Sequence, residues 1–108
     1  MADETKQELI DTLNRLVVEL EASSAMGFFS EHDPLDIRAI VNLNHQGISY
    51  AGCEIVIACG GPTIWVESRS DDSATIHGSW GGVEVERRAW NVDVWEFGEE
   101  FFTGRTIS

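Results

Sequence analysis

Between Tyr50 and Ala89 the apolar residues recur at every second position, and short clusters of turn-forming residues interrupt them. A period of two belongs to strands with one buried face, so the centre of the chain must be sheet. The first run, from Gly52 to Cys59, is rich in Ile and Val and free of Pro. Gly60-Gly61-Pro62 then stops it, permissive φ values being followed by a fixed one. Thr63-Ile64-Trp65-Val66-Glu67 reads as a second strand and Ser70-Asp71-Asp72-Ser73 as a turn. Ala74 to Trp80 forms a third strand, Gly81-Gly82 a two-residue hairpin, and Val83 to Ala89 a fourth. The expectation is a four-stranded antiparallel meander.

Alternation divides such a sheet into two unlike faces. Cys53, Ile55, Ile57, Ile64, Val66, Ile76, Val83 and Val85 share the face on which helices should pack. Glu54, Trp65, Glu67, Thr75, His77, Ser79, Glu84, Glu86 and Arg88 share the other, a mainly acidic surface around one large aromatic. From it, Glu54, Trp65, Glu67, His77, Glu84 and Glu86, joined by Asp93 and Glu96 of the last segment, are the candidate partner-binding residues. Trp65 is either an exposed anchor or covered by the C-terminal segment. Cys53 and Cys59 fall in one strand about 20 Å apart, too far for a disulfide or shared metal ligation, and both are expected as buried thiols.

Helical patterns flank the strands. Thr5-Lys6-Gln7-Glu8 has the form of a capping box, and Leu9, Ile10, Leu13, Leu16, Val17 and Leu20 follow at spacings of three and four. Glu4, Glu8, Asp11, Arg15 and Glu19 make a second, mostly acidic stripe, and the helix should stop by Gly27. Phe28-Phe29 is expected to fold back over the core from a linker. Asp33-Pro34 then predicts a second, short helix lined by Ile37, Ile40, Val41 and Asn44, with Gly47 as its stop and His45 at its C-terminus. Asn91 is placed to cap a C-terminal helix that turns Val94, Phe97 and Phe101 inward and ends near Gly104. The whole is a single α+β domain over residues 1–108, with two N-terminal helices and a C-terminal helix packed on one face of the meander.

Seven Lys and Arg oppose nineteen Asp and Glu, a net charge of −12. Nucleic acid and anionic membranes need positive charge to displace counterions, so a basic protein is the favoured partner class. No apolar run reaches the length of about 20 residues that a membrane helix needs, and Met1-Ala2-Asp3-Glu4 lacks the pattern of a signal peptide, which predicts a cytoplasmic protein. His32, His45 and His77 have no nucleophile or ligand motif around them, and acidic pairs such as Glu84 and Glu86 arise readily among so many carboxylates. Neither catalysis nor a cofactor or metal is expected.

Gly60-Gly61-Pro62-Thr63-Ile64-Trp65-Val66 together with Gly78-Ser79-Trp80-Gly81-Gly82 resembles small proteins carried by bacteriophages and mobile elements. The resemblance covers the middle third of the chain and implies a small accessory protein. With the acidity, it is similar in type to anti-CRISPR and anti-restriction proteins, some of which offer carboxylates to sites that normally hold phosphates. The expected function is therefore a non-enzymatic inhibitor of a basic, nucleic-acid-handling host protein such as a Cas effector. The competing expectation is a homo-oligomeric assembly module with Trp65, Trp90 and Trp95 at its seam and its charge serving solubility.

Overall fold

The computed structural model describes residues 2–107, with side chains across 4–103. Its elements are α1 (Ala2–Ala22), α2 (Ala25–Glu31), β1 (Asp36–Asn44), β2 (Gly47–Ala58), β3 (Thr63–Ser70), β4 (Ser73–Trp80), β5 (Val83–Trp90) and α3 (Val94–Ile107). The strands form one antiparallel sheet in the order β1-β2-β3-β4-β5, so chain order and sheet order coincide. The α+β class, the meander and the C-terminal helix agree with the sequence pattern. The sheet has five strands rather than four.

The additional strand is β1, where a second helix was expected. Ile37, Ile40 and Val41 fit a helical stripe, but Ile37, Ala39, Val41 and Leu43 fit a strand equally well. Ile37, Ile40 and Val41 are β-branched, which favours the extended form, and β2 supplies a partner along the whole length from Asp36↔Val56 to Asn44↔Gly47. His45 therefore occupies a hairpin turn, and its expected place at a helix end is overturned. The second N-terminal helix lies earlier, in the stretch expected as a linker. Ser24 caps it, accepting a hydrogen bond from the Gly27 amide, and Phe28 and Phe29 are buried. Helix α1 already begins at Ala2, so Thr5 lies within it instead of capping it. Asn91 adopts a left-handed turn (φ 58°) whose amide donates to the carbonyl of Asp72, and α3 starts three residues later.

Helices α1 and α3 lie on the same face. Leu9, Leu13, Leu16 and Leu20 of α1 are buried, and α1 packs over β4 and β5. Gly78 of β4 permits this approach, since a Cβ there would stand 2.8 Å from a Leu9 methyl and 2.9 Å from one of Leu13. Helix α3 packs chiefly over β2. Its first turn is pinned there by three hydrogen bonds: Tyr50 Oη to the Trp95 carbonyl (2.8 Å), Trp95 Nε1 to the Ala51 carbonyl (3.2 Å) and Cys53 Sγ to the Val94 carbonyl (3.6 Å). Burial pushes the thiol of Cys53 and the phenol of Tyr50 above their ordinary pKa values, so both stay protonated and serve as donors. Cys59, expected buried, is exposed, because a bulge at Ile57 shifts the alternation and β2 ends at Ala58. Turns at Asp71-Asp72 and Gly81-Gly82 close the last two hairpins, and both glycines of the second adopt positive φ (58° and 83°).

Candidate functional site

The uncovered face of the sheet carries the residues singled out by alternation. Register rows run Val56–Trp65–His77–Glu86 and Arg38–Glu54–Glu67–Thr75–Arg88 across the strands. Trp65 is half-buried, not by the C-terminal segment but by stacking on the His77 ring, with centroids 4.9 Å apart and planes 8° from parallel. His77 is held by carboxylates at both nitrogens, 2.9 Å to Glu67 and 3.4 Å to Glu86. Glu67 also accepts from Arg69 at 2.6 Å. Partial burial pushes the Glu67 carboxyl upward, but the bonds and charges of Arg69 and His77 outweigh it and hold the group below its ordinary range.

Because that folded-state value is depressed, the stability Glu67 contributes is present above its unfolded value of about 4.3 and is lost as the pH falls through the folded one. Glu67→Gln is expected to flatten the acid limb of a stability–pH curve from urea unfolding between about pH 6 and pH 3, and to cost about 1 kcal/mol at neutral pH. An unchanged acid limb in the variant would show that the depressed carboxyl is not coupled to folding.

This face is less acidic than its sequence implies. Asp36, Glu54, Glu67, Glu84 and Glu86 are interspersed with Arg38, Arg69 and Arg88; Arg38 pairs with Asp36 at 2.7 Å, and the Arg88 guanidinium lies 5.2 Å from the Trp90 ring centre. The charge is concentrated on the helical side instead. Glu4, Glu8, Asp11, Glu19 and Glu21 belong to α1, Glu31 and Asp33 to α2 and the segment after it, and Glu96, Glu99 and Glu100 to α3. Some have structural duties: Glu21 accepts from the Trp90 amide (2.8 Å), and Glu19 meets His32 (2.7 Å). Asp93, among the candidate binding residues, accepts from the Ala25 amide at 2.7 Å and so ties the start of α2 to the start of α3. Glu96 is exposed in the first turn of α3.

Within this acidic layer lies a feature that sequence reading did not find, an open apolar groove of about 580 Å³ between α2 and α3. Met26, Phe29, Pro34, Phe97 and Phe101 line it, and Ser30, Asp33 and Glu100 stand among them. Phe29 stacks on Phe97 at 4.9 Å and Phe97 meets Phe101 at 5.0 Å, so the floor is a continuous aromatic surface. Met26 and Phe101 remain 65% and 40% exposed. The signal in the chain was the i, i+3 pair Met26/Phe29 and the i, i+4 pair Phe97/Phe101, but nothing local says that these pairs face one another.

The tryptophans expected at an assembly seam do not meet. Trp65 and Trp90 stand on the uncovered face beside His77 and Ser73 respectively, while Trp95 lies on the helix side against Tyr50. Among the described residues, no group of three or more His, Cys, Asp or Glu is placed to hold a metal ion, and no helix is long and apolar enough to cross a membrane. No family model matches the chain, and neither a curated protein nor a solved structure shows significant similarity to it.

Proposed function

We propose that this protein is a non-catalytic inhibitor that binds a basic, nucleic-acid-handling protein, a Cas effector being the type in view, and that the contact is made by the helical side rather than by the sheet face. The observation that carries this reading is the apolar groove set among carboxylates. Protein interfaces draw their affinity from a few apolar and aromatic anchors in desolvated pockets, while complementary charge around them steers approach and fixes orientation. Met26, Phe29, Phe97 and Phe101 supply the pocket, and Asp33, Glu100 and the neighbouring acids of α2 and α3 supply the field. A basic surface that normally lies against phosphates fits both.

The test is capture from bacterial lysate on the immobilised protein at low salt, followed by titration of each captured protein with its nucleic acid. The expected result is a nucleic-acid-binding protein that is released at about 0.5 M salt, where screening shortens to a few ångströms. In the titration that protein should lose its nucleic acid as the inhibitor is added. Retention insensitive to salt, or a captured protein whose nucleic-acid binding is undisturbed, would remove the reading.

A further inference from the structure

We infer that two copies of this chain pair along the outer edge of β1. That strand is first in the sheet order, so the backbone groups on its outer side have no neighbouring strand. Edge strands invite pairing unless charge, proline, a bulge or a covering element blunts them. The opposite edge is protected: β5 carries Glu84, Glu86, Arg87 and Arg88, and α1 packs against it. Strand β1 has nine residues, no proline, and charge only at Asp36 and Arg38, which bond to each other; the bulge beside Ile40 places its extra residue, Ala51, in β2 and leaves β1 itself uninterrupted.

Charge then selects the occupant. From Ala39 to Cys53 the chain contains no Asp, Glu, Lys or Arg, although its net charge is −12. A like-charged copy is repelled from most of the molecule, and this stretch, the longest uncharged one in the chain, carries none of the repulsion. A basic partner, by contrast, finds no carboxylate here to attract it. The stretch is also apolar and open, with Val41, Leu43 and Ile48 exposed by 42%, 79% and 62%. Val41 pairs with Tyr50 and Leu43 with Ile48, so these side chains line the helix side of a hairpin whose tip runs beyond the cover of α3. An antiparallel two-fold pairing centred on Ile40 sets Leu43 of each copy beside Ile37 of the other and Asp36 beside Asn44. In that register no acid faces an acid.

The full chain is tested by light scattering across a concentration series, with hydrogen exchange on the β1 peptide at both ends. The expected species at high concentration has twice the 12.0 kDa of the monomer, shows added protection at residues 36–44, and is favoured by rising salt, which screens the repulsion. That salt dependence is opposite in sign to the one expected of the basic partner, so either reading can fail without the other. Replacing the exposed cross-strand pair as Leu43→Lys with Ile48→Glu keeps a favourable pair in the hairpin and should shift the dissociation constant upward by at least about tenfold while leaving the melting of dilute monomer unchanged. A wild-type chain that stays monomeric at about 1 mM, a dimer unaffected by the double substitution, or a dimer without added protection in β1 would overturn the inference.

Discussion

Replacing Gly98 by alanine is expected to destabilise the protein by about 2 kcal/mol or more, lowering the melting temperature by about 10 °C. Helix propensity alone gives the opposite sign, because alanine in a helix interior is favoured over glycine by about 1 kcal/mol. The tertiary contact decides. Gly98 lies in the second turn of α3 directly over β2, where an added Cβ would come 2.5 Å from both Cys53 Sγ and Tyr50 Oη and 2.6 Å from Cys53 Cβ. Those atoms belong to the side chains that pin the first turn of α3, so they cannot retreat without breaking the bonds to Trp95 and Val94. The helix must lift, taking Phe97 off Phe29. Urea unfolding and a thermal melt measure the effect, and a variant as stable as the parent would show that α3 does not dock on β2 as described.

Substitutions in the groove should leave folding intact and remove binding. Phe101→Ala is expected to weaken binding of the captured basic protein by about 30-fold, the loss typical of an interface anchor. Asp33→Lys with Glu100→Lys should weaken it by more than about tenfold, with the deficit shrinking as salt rises. Glu84→Gln with Glu86→Gln, on the uncovered sheet face, should change affinity by less than about threefold. Calorimetry or surface binding kinetics at two salt concentrations reads all three. If the sheet-face pair proves the damaging one, the contact surface is the face bearing Trp65 and His77 and not the groove.

The strands from β3 to β5 were legible in the chain because alternation and turn chemistry agree there: Asp71-Asp72 and Gly81-Gly82 lie where the hairpins close. Helix α1 was legible for the same reason, its leucines recurring at helical spacing next to an acidic stripe. β1 was misread because its apolar residues satisfy both periods and Asp33-Pro34 imitates a helix start; only pairing with β2, a long-range fact, separates the two. Bulges at Ile57 and beside Ile40 displaced the alternation of β2 and with it Cys59. Residues of the uncovered face were placed correctly on that face, yet the arginines woven among its acids cancel much of the charge expected of it. The groove could not be read at all, since Phe29 and Phe97 belong to segments far apart in the chain and meet only through the packing of α2 on α3.

The coincidence of chain order with sheet order has a consequence for synthesis. Each hairpin joins neighbouring segments and can close as soon as its second strand leaves the ribosome, at a small loop-closure cost. Helix α1 has only the short α2 as a local partner, through Glu19 and His32. Its anchors to the rest of the fold are Arg87 to Asn14, Trp90 to Glu21 and, just beyond it, Ala25 to Asp93, contacts that span 73, 69 and 68 residues. Helix α1, translated before the sheet it packs on, is thus among the last elements to find its place, and its leucine stripe stays without its native cover until β5 emerges. The acids along that helix, Glu4, Glu8, Asp11 and Glu19, give the waiting segment a charged exterior, and like charges on two such segments repel.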